Sequence, residues 1–499
     1  MRTLKLLALI LLLYITAGRV QAQEPEKDRQ SSGPIAPLGP LDSRENSPNA
    51  GAIDGQIQNS AQPEPDRHTL SGAETLGLGS LRSLGNIFDP SAFLWQSVDN
   101  GTSTGKLDSV TSAGGALNFG RSSSHQVLGL IYSGGANLYR GSVKYNQQFH
   151  DFDLSEDILL GAWTFRLGDS LVFASQGSSF GGFNTGGFTF GTQGNLLNGS
   201  QFGTVPGLQP GLLPLQTINT GIVDRLGNTA FVETDYALNR RTQVTFEGSY
   251  GLIHFLSAGY VNAVQTQGRV GYDRALGPRN MVGVSYDFTK SKFGGTSQSL
   301  EIQSVHLSYG RTLVGRLAWQ IGGGPALRNL QNYGLLGGRR MSWNLYSGLT
   351  YDWGRTGYSL MYFHGTTLGS GVFFGAQTNM VTVNVSRPLT RLWSASAYGG
   401  YARNSNLAVS SVFSNLFENW YANADLGRQL GRKLRFDLNY GFQQQRLSGG
   451  LCPVLSCGIG ISPQRHTLSI ALNWHPLTAA SERRGRLPSG APVGQTGRF

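Results

Sequence analysis

The residues that could support catalysis in this 499-residue chain are scattered along it. Of its eight histidines, His306 lies two residues before Ser308, and His466 lies three residues before Ser469. A serine nucleophile needs a histidine base that is itself oriented by a carboxylate. Neither pair has such a carboxylate at a register that is obvious from the sequence. We therefore expect these histidines and serines to be ordinary polar side chains in contact with water. We also expect that the protein is not an enzyme and binds no cofactor.

Cysteines and glycine strings could also bind a ligand. Cys452 and Cys457 are the only cysteines, and they stand close together in a segment that contains Gly and Pro. No histidine neighbours them at the spacing of zinc ligands, so we expect no metal site. In an exported chain this spacing predicts a small disulfide that closes a loop. The string Gly322-Gly323-Gly324-Pro325 lacks the Lys-Ser/Thr pair of a phosphate-binding loop.

The first 22 residues have the pattern of a secretory signal peptide. Arg2 and Lys5 precede an apolar run that is too short to span a bilayer comfortably, and Val20-Gln21-Ala22 is a small-x-small cleavage site. The next segment, 23–68, is polar and Pro-rich, which predicts a disordered linker. Residues 69–110 carry loosely spaced apolar side chains and are interpreted as a short periplasmic or plug-like segment. The last residues, 477–499, form a basic tail that we expect to be flexible.

The composition of the chain excludes several classes of protein. Its 70 glycines are about twice the ordinary usage, only 14% of its residues are charged, and 10% are aromatic. Disordered chains have the opposite balance of charge and aromatics. A bundle of membrane helices needs several apolar runs of about 20 residues, and the one long apolar run of this chain is the shorter one at the N-terminus. The remaining class is a β-barrel or a β-sandwich.

Side chains of alternating polarity fill the region 111–476. In the clearest example Leu434, Phe436, Leu438 and Tyr440 alternate with charged or amide residues, and this period of two is the signature of a strand. The segments approach the 9–11 residues that cross a bilayer at a tilt, and short and long connections alternate between them. We count thirteen strands after residue 227 and five before it, near 112–120, 125–133, 139–148, 157–166 and 169–176. The expected total is 18, with 16 as the alternative.

On this pattern the sequence resembles the porin-like β-barrels of the Gram-negative outer membrane. The resemblance covers about 111–476 and implies an all-β, antiparallel, up-and-down transmembrane barrel. It also implies export to the outer membrane, contact with outer-membrane lipid, and insertion by the outer-membrane assembly machinery. The segment from Arg465 to Trp474 looks like the aromatic-ended last strand which that machinery recognises, although it is not at the C-terminus. We expect no nucleic-acid partner, and the oligomeric state stays open.

Charged residues on the polar faces of these strands are the candidate functional residues. If the apolar faces contact lipid, the polar faces line the lumen. They could form a ladder of ion pairs that stiffens the wall, or an electrostatic constriction that selects solutes. The candidate lumen charges are Glu233, Asp235, Glu247, Arg269, Asp273, Asp287, Arg316, Asp352, Asp425, Lys433, Arg435 and Asp437.

The expected function is a passive channel. The formal net charge of +11 favours small or anionic solutes, although many of the arginines stand at the short turns. Two alternatives remain: a barrel that exports polysaccharide or lipid, and a non-conducting barrel with a structural or adhesive role at the cell surface.

Overall fold

The chain is described by a computed structural model that contains one large β-sheet and covers residues 87–476 with gaps. The residues without description inside that range are 101–106, 124, 141–145, 176–223, 240, 258, 278, 315–316, 334–336, 354, 370, 408–414, 432, 450–463 and 475. The strands are Ile87–Asp99 (β1), Asp108–Ser122 (β2), Gln126–Arg140 (β3), Gln147–Leu160 (β4), Trp163–Ser175 (β5), Asp224–Asn239 (β6), Thr242–Phe255 (β7), Ala263–Gly277 (β8), Asn280–Phe293 (β9), Ser299–Val314 (β10), Leu317–Gln331 (β11), Gly338–Trp353 (β12), Thr356–Thr367 (β13), Ala376–Pro388 (β14), Trp393–Asn406 (β15), Asn415–Gln429 (β16), Leu434–Gly449 (β17) and Gln464–Trp474 (β18).

The 18 strands form a closed antiparallel barrel in which each strand pairs with its neighbours in the sequence. The first and last strands close the ring, because β1 pairs with β18 from Ala92 opposite Trp474 to Asp99 opposite Thr467. An even number of strands places the start of β1 and the end of β18 at the same rim, the rim of the short turns. The predicted fold class and the predicted total of 18 strands are confirmed.

The early strands differ from the sequence-based assignment. β1 lies inside 69–110, so the barrel begins at Ile87 and not at residue 111. Phe93 and Trp95 of β1 are buried, while Leu94 and Val98 are exposed. Because both faces of β1 are apolar, the strand lacks the alternation of polarity that reveals the others.

The five strands predicted between 112 and 176 correspond to only four, β2 to β5. The predicted segments 139–148 and 157–166 each run across a connection, and the second connection is a tight turn at Gly161 with φ of 63°. The extra strand and the missed β1 offset each other in the total.

The two faces of the wall have opposite polarity, as β18 shows. Leu468, Ile470 and Leu472 are exposed on the outside, whereas Thr467 and Ser469 are buried on the inside. A soluble barrel would bury the apolar set and expose the polar set. Within the described chain, no helix is long and apolar enough to cross a membrane.

Two tryptophans of β12 mark the height of the apolar band. Trp343 and Trp353 are both 64% exposed on the outside, and ten residues separate them. At the usual rise and tilt of barrel strands, ten residues span about 25 Å along the barrel axis, which is the height of the apolar band in outer-membrane barrels. They therefore lie at the levels where aromatic girdles meet lipid headgroups. Tyr421, next to the exposed Trp420, lies against Gly400 of β15 on the inside of the wall.

Candidate channel through the barrel

The structure places most of the predicted lumen charges on the inner wall. Six of them are buried on β6 to β9, namely Glu233, Asp235, Glu247, Arg269, Asp273 and Asp287. On the other side of the ring, β16 and β17 hold Asp425, Arg435 and Asp437. Lys433 is exposed in the turn before β17, which begins one residue later. The side chains of Arg316 and Asp352, and both Cys452 and Cys457, lie outside the described part of the chain.

Six charged residues form one continuous row across the inner wall. Register pairing places each directly opposite the next, on six consecutive strands from β4 to β9. We call this set the charged row, and it consists of Asp157, Arg166, Glu233, Glu247, Arg269 and Asp287. Since directly opposed side chains have Cβ atoms about 5 Å apart, each arginine can bond the carboxylates on both sides of it. Glu233 and Glu247, which face each other, are both carboxylates and are compensated by Arg166 and Arg269.

Arg166 connects the carboxylates at the β4 end of the row. Its Nε donates to Asp157 Oδ1 at 3.2 Å, and its Nη1 bonds Glu233 and lies 3.8 Å from Asp235 Oδ2. Asp235 in turn accepts a bond of 2.6 Å from the hydroxyl of Thr245 on β7. One guanidinium therefore compensates three carboxylates from two neighbouring strands.

Arg269 has the same role at the β9 end of the row. Its Nε donates to Asp287, and its Nη1 lies 3.6 Å from Glu247 Oε2. Asp287 also contacts His306 Nδ1 at 2.7 Å, and the other ring nitrogen of His306 lies 3.4 Å from the amide nitrogen of Asn344. His306 therefore does have a paired carboxylate, which the sequence did not reveal because Asp287 is on the preceding strand.

A smaller polar cluster lies on β17 and β18, beyond the half of the wall that carries the charged row. Arg435 Nε donates to Asp437 Oδ1 at 2.7 Å, and Asn473 donates to Asp437 Oδ2 at 2.8 Å. In both clusters the opposite charges are neighbours on one wall. The geometry is that of ion pairs between neighbouring side chains, which is the first of the two arrangements expected from the sequence.

The connection between β13 and β14 folds into the barrel. We call residues 368–375 the crossing loop, of which residue 370 is not described. The amide of Val261, in the β7–β8 connection, donates to the carbonyl of Gly371 at 2.8 Å. The ring of Phe373 packs edge-on against Phe417 of β16, with 5.4 Å between ring centroids. Because β7 and β16 are nine strands apart in a ring of 18, the loop reaches opposite sides of the lumen.

Glycine and apolar side chains explain this path. Gly369, Gly371 and Gly375 all have positive φ, between 77° and 92°, a backbone conformation that other residues rarely adopt. At Gly371 a β-carbon would collide with the ring of Phe255. Leu368 joins a buried apolar cluster with ends of strands on the long-connection side, whose members include Ile253, Phe255, Ala263, Phe293, Leu300, Leu330, Tyr333 and Leu407.

Tyr333, in the β11–β12 connection, is hydrogen-bonded to the crossing loop. Its hydroxyl donates to the carbonyl of Phe374 at 2.7 Å, and burial raises its pKa above the ordinary tyrosine value. The alternation of short and long connections in the sequence does not place any connection in the lumen. The apolar run Val372-Phe373-Phe374 between glycines was the available signal, since an outer loop exposed to water has no need of it.

Comparisons with known proteins find similarity only among solved structures. No protein-family model matches the sequence, and no curated protein does. OpdQ of Pseudomonas aeruginosa aligns over 78% of this chain and 98% of its own, with 7% identity and a TM-score of 0.40. OccK2 (OpdF) of the same organism aligns over 79% and 100%, with 9% identity and a TM-score of 0.40. OprD, also from Pseudomonas aeruginosa, aligns over 79% of this chain and 97% of its own, with 8% identity and a TM-score of 0.37.

Identities and TM-scores this low carry no argument about a solute. The class of the protein follows from its own structure, a closed antiparallel barrel of 18 strands with an apolar exterior and a polar interior. The chain is a porin-like β-barrel of the outer-membrane type.

Proposed function

We propose that this protein is a passive outer-membrane channel for small solutes. The observation that carries the proposal is the inverted polarity of a closed 18-strand wall, which buries charged side chains inside and exposes apolar ones outside. Barrels of 16–18 strands enclose an aqueous channel unless they are plugged. Lipid contact on the outside and insertion by the outer-membrane assembly machinery, after cleavage of the predicted signal peptide, complete the proposal.

The crossing loop supports small solutes over polymers. It touches β7 on one side of the ring and β16 on the other, so it divides the lumen near the rim of the long connections. A polysaccharide exporter needs a wide continuous path, and the loop would have to leave for such a chain to pass.

A preference for anions is a finer proposal that rests on the net charge of +11. The charged row does not contribute to it, because its two guanidinium groups stand among four carboxylates. Basic residues at the turns would have to supply the attraction. Reversal potentials across a salt gradient decide this point, since anion selectivity supports the finer proposal and cation selectivity refutes it.

We also propose that the His306–Asp287 pair is structural and that the protein is not an enzyme. Asp287 joins Arg269 as well as His306, so the carboxylate already serves the charged row. The ring thereby extends the row from β9 to β10. A histidine held in this way connects strands without needing a substrate.

Single-channel recording of the full-length protein in planar bilayers tests the proposal. We expect discrete conductance steps, and we expect Gly371→Ala to enlarge them because the added β-carbon displaces the crossing loop from Phe255. Gly295→Ala is the matched control, since Gly295 also has positive φ but open space around it. Silence from all three proteins would refute the channel and support a non-conducting barrel. Equal steps from all three would show that the loop does not limit the pore.

A further inference from the structure

The pairing between β12 and β13 stops well before the two strands end. The ladder runs from Trp353 opposite Thr356 up to Leu345 opposite His364 and no further. Above that point residues 338–344 of β12 pair only with β11, and residues 365–367 of β13 pair only with β14. By contrast, β8 and β9 are paired from Ala263 opposite Phe293 down to the turn. We call this unpaired interval, 338–344 facing 365–367, the side seam.

The side seam lies at the headgroup level of the outer leaflet. Trp343 belongs to it and is one of the two girdle tryptophans of β12. Met341, two residues nearer the rim, is 69% exposed on the same outer face. The part of the side seam that carries Met341 and Trp343 is therefore at the height of the lipid headgroups.

A cavity lies at the lower end of the side seam, lined from both strands. β12 contributes Asn344, Leu345 and Tyr346, and β13 contributes Phe363, Thr366 and Thr367. Leu345 belongs to the outer face and is 38% exposed, whereas Tyr346 and Phe363 belong to the inner face. The lining of the cavity therefore includes one exposed residue of the outer face, Leu345, at the end of the β12–β13 ladder.

The lining identifies the chemistry of an occupant. Thr366 is 7% exposed and Gln265, on β8, is 4% exposed, yet the Thr366 hydroxyl and the Gln265 amide nitrogen have no hydrogen-bond partner. The side-chain oxygen of Asn344 is also buried without one. Leaving such groups unbonded costs about 1–3 kcal/mol each. The rest of the lining combines apolar side chains with four hydroxyl side chains, those of Thr289, Ser291, Ser304 and Thr367, and none of the described residues that form it is charged.

Arg328 joins the two sides of the side seam. Its Nη1 reaches past β12 and donates to Gln377 Oε1 on β14 at 2.7 Å. Gln377 Nε2 lies 3.1 Å from His364 Nε2, at the last residue of the β12–β13 ladder. Side chains therefore replace the backbone ladder here, and such contacts can open without unpairing strands.

We propose that the side seam is an opening through which an uncharged amphipathic molecule moves between the lumen and the outer leaflet, with the cavity as the binding site for its polar head. The apolar body contacts Leu345 and Phe363, and a hydroxyl or amide head bonds Thr366, Asn344 and Gln265. This inference rests on the proposed channel and adds a route and a class of solute to it.

Fluorescence quenching tests the route. In full-length protein with Cys452→Ser and Cys457→Ser, a bimane is attached at Thr366→Cys and the protein is placed in vesicles with nitroxide near the lipid headgroup. Trp420→Cys, on the outer face, is the exposed reference, and Asn439→Cys, on the inner wall, is the shielded one. We expect quenching at 366 close to that at 420. Quenching no greater than at 439 would overturn the opening.

Current block tests the class of solute. Octyl glucoside below its micellar concentration should block the open channel, whereas glucose and octanoate at the same concentration should not. Thr366→Val should weaken the block by about three- to tenfold, the value of one hydrogen bond. Thr367→Val is the matched control, since that hydroxyl already bonds Thr378 at 2.8 Å, and a smaller effect is expected. Equal block by all three compounds, or an unchanged block in Thr366→Val, would overturn the assignment.

The two assays separate this inference from the proposed function. Quenching needs no open pore, so a silent barrel with strong quenching at 366 would refute the channel and keep the opening. A conducting barrel with no quenching at 366 would support the channel and refute the opening.

Discussion

Removing Arg269 should reveal whether the charged row stabilises the barrel. Its side chain is 2% exposed and compensates both Glu247 and Asp287. Arg269→Met keeps an unbranched apolar stem in place of the aliphatic part of the side chain and leaves those carboxylates without their cation. Breaking a buried ion pair costs about 3–5 kcal/mol. Asp287 keeps its contacts with His306 at 2.7 Å and Ser285 at 3.2 Å, so we expect the lower end, about 3 kcal/mol, or roughly a hundredfold in the unfolding equilibrium.

Lys290→Met is the matched control, because it removes an exposed ion pair in the same way. Lys290 Nζ lies 2.6 Å from Glu301 Oε1, but its side chain is 37% exposed. Such pairs contribute about 0–1 kcal/mol. The assay is urea unfolding of full-length protein in lipid vesicles, with the free energy of unfolding taken from the midpoint and slope at low and high salt.

The reasoning would be refuted if Arg269→Met lowered the free energy of unfolding by no more than Lys290→Met does. That result would mean that water in the lumen solvates the charged row, which would then act on passing ions and not on stability. A second variant checks the cause. Adding Glu247→Gln to Arg269→Met removes one stranded carboxylate and should recover part of the loss.

Two further predictions concern the lipid face and the crossing loop. Val270→Arg places a charge on the exposed outer face and should lower the free energy of unfolding by about 2–4 kcal/mol near the bilayer centre. Val270→Leu is the control and should lower it little. Equal stability of the two variants in urea unfolding would contradict the lipid contact. Tyr333→Phe removes the bond to Phe374 and should increase current fluctuations with a stability loss of about 1 kcal/mol. Because burial raises the pKa of Tyr333 and so favours its neutral form, the wild-type conductance should stay constant as the pH rises through the ordinary tyrosine pKa near 10; a step there would contradict the contact.

The faces of the strands were predictable because membrane barrels impose a period of two on polarity. Glu233, Glu247 and Arg269 were assigned to the lumen by parity alone, and the structure places all three inside. This alternation of odd and even positions gives no signal where both faces of a strand are apolar. In β1 the inward Phe93 packs with Phe149 of β4, at 6.0 Å between ring centroids, so a lipid-facing apolar set and an inner apolar set merge into one run.

The register between strands was not predictable, and the charged row depends on it. Arg166 is not among the predicted lumen charges, and the predicted segment 157–166 ends at that residue, whereas β5 continues to Ser175. His306 and Asp287 are 19 residues apart in sequence. Their contact follows from the hairpin between β9 and β10, in which the length of a connection shifts every pair along the two strands.

The crossing loop and the side seam are one feature of the chain. Residues 365–367 turn inward toward the loop, so they cannot pair with β12, and the backbone groups of 338–344 lose a neighbour. Lipid hydrocarbon cannot satisfy such groups, which restricts the unpaired interval to a height where water or a polar molecule can reach it. Trp343 places the interval at that height, since tryptophan favours the headgroup level. A loop that narrows the lumen from the β13 side therefore leaves an outlet in the wall beside it, and a variant that releases the loop, such as Gly371→Ala, should also lower the quenching at position 366 as β13 regains its partner.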